Sequence, residues 1–234
     1  MTTVSNALPQ AENTLLSAGI QEARLEAEIL VGHTLQIDRS TIYAHPEMVL
    51  SQHQQDLLLN SLEQRKKREP LAYILGYREF YGLNLLITPN VMIPRPETEI
   101  LVDKVLDYSL SIKGSGNLII GEPGTGSGAI SIALSKYLPS SHIFAIDISS
   151  EAIKVAQANV EKFKVGDKIT LLTGDLLQPI FQQLDMIVAN LPYVPHHRLA
   201  TLQPEVQREP RIALDGGIDG LKIIRRLLHQ AHSK

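Results

Sequence analysis

The sequence predicts an α/β protein whose second half is a doubly wound, parallel, Rossmann-like sheet, preceded by a helical bundle. Three observations predict it. Short apolar strands alternate with helices from Leu118 to Ala189, the pattern that buries a parallel sheet between two helical layers. A glycine-rich turn, Gly124-Thr-Gly-Ser-Gly128, joins the first of those strands to a helix. An acid, Asp147, closes the next strand.

The totals narrow the class. A chain of 234 residues suits one large domain or a domain with a small companion. Hydrophobic residues at 44% and charged residues at 20% supply a sizeable core and exclude bulk disorder. A net charge of -3 gives no whole-molecule field favouring nucleic acid. With no cysteine, a disulfide scaffold and a zinc–thiolate site are excluded. Met1 to Pro9 has neither the basic start nor the apolar stretch of a secretory signal, and no apolar run reaches membrane-spanning length. A cytoplasmic location is the expectation by elimination.

In chain order, Leu15 and Leu16, then Leu25, Ile29 and Leu30, then Leu57, Leu58 and Leu62 recur near helical spacing. Ser51 is placed to cap the last of these helices. Its end, Arg65-Lys66-Lys67-Arg68, reads as a solvated run that complements the helix C-terminus, with a patch for an acidic partner as the alternative. Phe80, Tyr81, Leu83, Leu85 and Ile87, with Gly82 and Asn84 between them, predict a β-hairpin. Asn90 to Pro96 is a loop, and a helix over Thr98–Leu110 is entered through Pro96 and Glu97. After Lys113-Gly-Ser-Gly come strands at Leu118-Ile-Ile, His142–Ile148, Ile169–Thr173 and Asp185–Ala189. Helices are expected at Ala129–Leu138 and at Ser150–Phe163, the latter capped by Ser149. The expected domains are a helical one over 1–75, a hairpin linker over 76–93 and the α/β domain over 94–234.

The chemistry gathers at the strand ends. Gly124, Gly126 and Gly128 let the backbone approach a ligand and expose helix N-terminal N–H groups. Asp147 can accept ribose hydroxyls. Together they point to a nucleoside-containing cofactor without choosing between NAD and S-adenosylmethionine. No Lys-Ser/Thr follows the glycines, so a Walker A loop is excluded. Asp175 and Leu176, after the third strand, are placed to meet an adenine amine and ring face, with a loop-capping role for Asp175 as the alternative. The fourth strand runs into Asn190-Leu-Pro-Tyr193. An amide or aryl amine nitrogen is a poor nucleophile because its lone pair is delocalised. The Asn190 side-chain oxygen and the Leu191 carbonyl can accept its N–H groups and hold it in line. Pro192 stiffens the turn and Tyr193 offers a flat face. His196 and His197 lack further ligands at metal-site offsets and read as surface residues. Asp215-Gly-Gly and Asp219-Gly220 read as turns before the last helix.

Asn190 to Tyr193 with Gly124 to Gly128 resembles the amino-methyltransferases that carry Asn/Asp-Pro-Pro-Tyr. Three further segments narrow the resemblance: Glu69-Pro-Leu-Ala-Tyr-Ile-Leu-Gly76, Ile93-Pro-Arg-Pro-Glu-Thr-Glu99 and Glu209-Pro-Arg-Ile-Ala-Leu-Asp-Gly-Gly217. Together, out to about Leu228, they are similar to the peptide chain release factor glutamine N5-methyltransferases. The resemblance implies a helical N-terminal bundle that helps bind the release factor and a Rossmann-like catalytic domain. It implies S-adenosylmethionine as methyl donor, and as substrate the glutamine amide of a Gly-Gly-Gln loop. Neither membrane nor direct nucleic-acid binding is implied, and a complete member is expected to be a monomer. Gly124, Thr125, Gly126, Ser127, Gly128, Asp147, Asp175, Leu176 and Asn190 would hold the cofactor. Asn190, Leu191, Pro192 and Tyr193 would hold the glutamine. Arg95, Pro96, Glu97 and Glu99 would line the entrance, although their charges equally suit a helix start.

The chain departs from the family pattern at three places. Leu191 stands where Pro is usual, a form also found in ribosomal RNA adenine methyltransferases. Glu122-Pro123 replaces Asp-Leu. The family also continues beyond the position of Lys234 with three more strands, so a chain ending there is expected to be marginally stable, to associate through the fourth strand and to turn over slowly. The rival readings are an RNA or DNA adenine N6-methyltransferase, a poorly active relative that docks release factors, and a dinucleotide oxidoreductase. The Asn190 turn fits the last of these worst.

Overall fold

Apolar residues at helical spacing build the first part of the chain. In the computed structural model, which describes residues 2–113, 117–232 and 234, the chain divides into two compact units, Met1–Leu75 and Gly76–Lys234. The first holds α1 (Val4–Ser17), α2 (Ala23–Leu35), α3 (Arg39–Ala44), α4 (Gln52–Lys66) and α5 (Leu71–Leu75). Ser51 caps α4 in a capping box with Gln54, which satisfies two otherwise orphaned N–H groups. Leu15, Leu30, Ile42, Leu58 and Leu62 meet in the core of this unit.

The basic end of α4 differs from the sequence reading at one residue. Lys66 is partly exposed and pairs with Glu63 at 2.7 Å. Arg65 is instead buried, 5% exposed, with Nε 2.5 Å from Glu26 Oε2 on α2. Its position in the helix turns it inward, and the facing carboxylate offsets the cost of burying that charge. A second acid of α2, Glu28, is also buried. Burial alone would raise its pKa, but donation from Tyr43, Arg24 and Arg39 holds it below the ordinary carboxyl value.

The second unit opens with the hairpin of β1 (Tyr77–Phe80) and β2 (Leu83–Leu86). Tyr81 and Gly82 both take positive φ, 52° and 70°, as a two-residue hairpin turn of the right twist requires. Helix α6 (Glu97–Lys113) follows; Gly114, Ser115 and Gly116 lie outside the described residues. Strands β3 (Ile119–Pro123), β4 (His142–Asp147), β5 (Ile169–Thr173) and β6 (Met186–Ile187) form one sheet in the order β5-β4-β3-β6. All three pairings are parallel. Helices α7 (Ala129–Tyr137) and α8 (Ser150–Phe163) make the crossovers, and α9 (Lys222–Ala231) comes last. Ser149 caps α8 through Ala152 N. This is the doubly wound arrangement that the alternation predicts.

The fourth strand is shorter than its apolar run. Its ladder covers Met186 and Ile187 alone, where Asp185–Ala189 was expected. The Asp185 side chain takes the Ile119 N–H at 2.9 Å, a bond that a ladder residue would otherwise make. Past Val188, whose N–H still reaches Gly121 O at 3.0 Å, the chain leaves the sheet for the Asn190 turn. Among the described residues no helix is long and apolar enough to cross a membrane.

Candidate active site

The carboxyl ends of β3 to β6 all point the same way, so their four following turns converge where an open α/β sheet binds its ligand. A cavity of about 270 Å³ opens between them. Gly124, Thr125, Gly126, Ser127, Asp147, Asp175, Leu176 and Asn190 all line it. Gly128 does not. It takes a left-handed conformation, φ +81°, as the N-cap of α7.

Local bonds fix the glycine turn. Ile146 O accepts from both Gly124 N, 2.7 Å, and Thr125 N, 2.9 Å, so the N–H missing at Pro123 leaves no bare acceptor there. Gly126 N donates to Asp147 Oδ2 and Ser149 N to Asp147 Oδ1, each at 2.9 Å. Burial raises the Asp147 pKa, and those N–H groups oppose the rise. The carboxylate is therefore held in one orientation at the cavity wall.

Glu122 has a definite place. It is 1% exposed and lines the same cavity. Its Oε2 accepts from Thr125 Oγ1 at 2.9 Å, from Ser131 N at 3.0 Å and from Ser131 Oγ. Ser131 N belongs to the first turn of α7, where N–H groups lack helical partners. Glu122 thus ties the glycine turn to the start of α7. Burial, reinforced by the nearby Asp147 charge, pushes its pKa up to about 7 against the pull of those donors.

A second cavity, about 580 Å³, is lined by Arg95, Glu97, Thr98, Asn190, Leu191 and Tyr193, among others. Thr98, Asn190 and Leu191 border both cavities. Asn190 Nδ2 donates to Thr98 Oγ1 at 3.1 Å; its Oδ1 has no partner among the described residues. The Leu191 side chain is buried, 7% exposed, with Cδ2 only 3.0 Å from where a Cβ on Gly124 would sit. Packing against the glycine turn here restrains the residue that follows Asn190. Tyr193 is 62% exposed at the mouth of the second cavity. Behind it, Val194 N bonds Leu214 O at 2.9 Å and His196 N bonds Gly217 O at 2.8 Å, clasping the turn to the Asp215-Gly-Gly segment.

The entrance residues divide. Glu97 lines the second cavity. Arg95 does too, but its guanidinium is paired with the buried Glu209, which also accepts from Ile93 N at 3.0 Å. Glu99 was expected beside them and lines neither cavity. Its Oε1 accepts from Tyr81 N at 2.8 Å, because the first turn of α6 points that carboxylate at the hairpin. His196 Nδ1 lies 3.0 Å from Asp215 Oδ2, and the described residues contain no cluster able to hold a metal ion.

Sequence reasoning missed Thr98 and Asn159. Thr98 stands inside the Ile93–Glu99 segment, among charges that suggested a role more loudly. Asn159 is fully buried on α8. Its Oδ1 accepts from Leu86 N at 2.7 Å, and its Nδ2 donates to Leu86 O and Ser127 O, both at 2.9 Å. A polar residue on the apolar face of an otherwise amphipathic helix was the available signal.

The chain has well-marked relatives. Residues 6–76 match the family model of the PrmC N-terminal domain. Residues 105–218 match that of ribosomal protein L11 methyltransferase (PrmA). The release factor glutamine methyltransferase of Moorella thermoacetica is 40% identical over 227 residues, 97% of this chain and 79% of that protein. That of Geobacter sulfurreducens is 38% identical over 231 residues, 98% of this chain and 79% of that protein. Among solved structures, the hMettl16 catalytic domain in complex with MAT2A 3'UTR hairpin 6 aligns with a TM-score of 0.52 at 16% identity, covering 78% of this chain and 64% of that one. At that identity the likeness shows a shared fold and nothing more.

Proposed function

This chain belongs to the release factor glutamine methyltransferase family, and on that premise we propose that it transfers a methyl group from S-adenosylmethionine to a release factor. The acceptor is the side-chain amide nitrogen of the glutamine in the Gly-Gly-Gln motif. The observation that carries this reading is the meeting of two cavities at Thr98, Asn190 and Leu191. One suits a nucleoside cofactor and the other a planar amide, and the residues between them border both.

The cofactor fits the first cavity on this chain's own terms. Gly126 has nothing within 4 Å of where a Cβ would lie, and Asp147 is oriented at the wall. Asp147 would take the ribose hydroxyls, Asp175 and Leu176 the adenine, and Gly124 to Ser127 the backbone contacts. When bound, the cofactor supplies an electrophilic methyl group. Thr98 holds Asn190 Nδ2, which turns Asn190 Oδ1 outward as an acceptor. Asn190 Oδ1 and the Leu191 carbonyl accept the two amide N–H groups and favour the positive charge that develops on that nitrogen. Tyr193 covers the flat face of the amide. No strong base is needed, because the nitrogen becomes acidic once methylated. The helical first unit is assigned to recognition of the release factor.

The test is methyl transfer from labelled cofactor to purified release factor, with bulk RNA in parallel, for the wild type and Asn190→Ala. Loss of one positioned polar group should cost about 100-fold or more in turnover, with S-adenosylhomocysteine affinity retained. Label in RNA and none in release factor would overturn the substrate assignment. Near-normal turnover of Asn190→Ala would overturn the role of Asn190.

A further inference from the structure

The loop after β5 carries a strained residue. Leu176 has φ +53°, a left-handed conformation that a side chain with a Cβ adopts only when its surroundings enforce it. Helix α9 supplies the enforcement. Gln230 Oε1 accepts from Leu177 N at 2.8 Å. One turn earlier, Arg226 forms an ion pair with Asp175 Oδ2. Leu227 packs with Leu176, Leu177 and Ile180 in one apolar cluster. Arg226 itself reaches the wall of the 270 Å³ cavity, beside Asp175 and Leu176.

The two oxygens of Asp175 are therefore unequal. Oδ2 receives Arg226 and, at 3.4 Å, Gln178 Nε2. Oδ1 receives no donor from any described residue. Fixing one oxygen of a carboxylate with a planar guanidinium fixes the direction of the other. We propose that Arg226 is a positioning residue for cofactor recognition, holding Asp175 so that its second oxygen meets the exocyclic amine of the adenine. This rests on the cofactor reading above. It extends that reading to a residue outside the strand-end turns, on a helix remote in sequence from the glycine motif.

The exocyclic group is the discriminating probe. Adenine presents an amine donor at that position, and hypoxanthine presents a carbonyl acceptor. A fixed carboxylate oxygen favours the first and repels the second. Titration calorimetry with S-adenosylhomocysteine and S-inosylhomocysteine reads both. The wild type should prefer the adenine compound. Arg226→Met should bind it about tenfold more weakly, the scale of one charge-assisted hydrogen bond, and its preference over the hypoxanthine compound should shrink. Arg225→Met is the control: Arg225 pairs with Asp219 at 2.6 Å and lines neither cavity, so affinity and preference should stay as in the wild type. Wild-type affinity in Arg226→Met would overturn the proposal. So would equal weakening for both compounds, which marks a merely structural residue, or tighter binding, which marks a competitor of the adenine. Should Arg226→Met not fold, Asp175→Asn gives the same readout, and an unchanged preference there refutes the proposal equally. A wild type that binds neither compound is a different failure, one of the cofactor reading itself.

Discussion

Replacing Glu122 by Gln tests whether a buried acid at the cofactor cavity holds its proton near neutral pH. Gln has the shape of the protonated acid and keeps an oxygen for Thr125 and Ser131. Burial raises the Glu122 pKa from 4.5 to about 7. A raised folded-state pKa means that the folded protein binds the proton more tightly than the unfolded chain. Stability is then fully present below pH 4.5, and is lost as pH rises through about 7. At about 1.4 kcal/mol per pH unit the loss is about 3 kcal/mol, a large part of the stability of an ordinary domain. Urea denaturation followed by circular dichroism, repeated from pH 4 to pH 8 for both proteins, isolates the effect in the difference between the two curves. Glu122→Gln should gain on the wild type by about 3 kcal/mol between the ends of that window. Parallel curves would show that Glu122 keeps the ordinary carboxyl pKa, with burial offset by its hydrogen bonds.

Three further outcomes follow from contacts described above. Thr98→Ala should lower kcat while leaving S-adenosylhomocysteine affinity intact, and Thr98→Ser should restore it; steady-state kinetics that show no change in Thr98→Ala would remove its role in orienting Asn190. Asp147→Ala should weaken S-adenosylhomocysteine by about 1–3 kcal/mol in calorimetry, and binding at wild-type strength would exclude it from the ribose subsite. Glu26→Gln removes the carboxylate facing the buried Arg65 guanidinium and should destabilise the chain by about 3 kcal/mol, measured by urea denaturation. A change below about 0.5 kcal/mol would mean that the Glu26 carboxylate contributes little to holding Arg65 in place.

The sheet was legible in the sequence because each of its elements is punctuated. Ser149 and Gly128 mark helix starts, and Ile169–Thr173 is a clean apolar run between turns. The glycine turn, Asp147 and the Asn190 turn were legible because each places an unusual residue type at a strand end. What stayed hidden depends on pairs distant in sequence. Nothing local to Arg65 says that Glu26 faces it, so a basic helix end read as solvated. Glu99 looks like nearby Glu97 in sequence, yet two residues of helical rotation separate the cavity from the hairpin. Glu122 read as a departure from a pattern because its partners, Thr125 and Ser131, matter only once α7 folds back on the strand end. The fourth strand was overestimated for a related reason: apolarity marks burial, while ladder length depends on the partner strand.

The bonds of Asn159 bear on how this unit can change over evolutionary time. All of its partners are main-chain groups, at Leu86 and Ser127. Main-chain groups survive most substitutions of the residues that carry them, so residues 86 and 127 can vary in type without loosening the tie. Position 159 has no such latitude. An aspartate there would offer no donors to the two carbonyls, and a serine is too short to span them. The hairpin and the glycine turn are thus joined by one side chain whose identity is constrained, while the residues it joins are left free to drift.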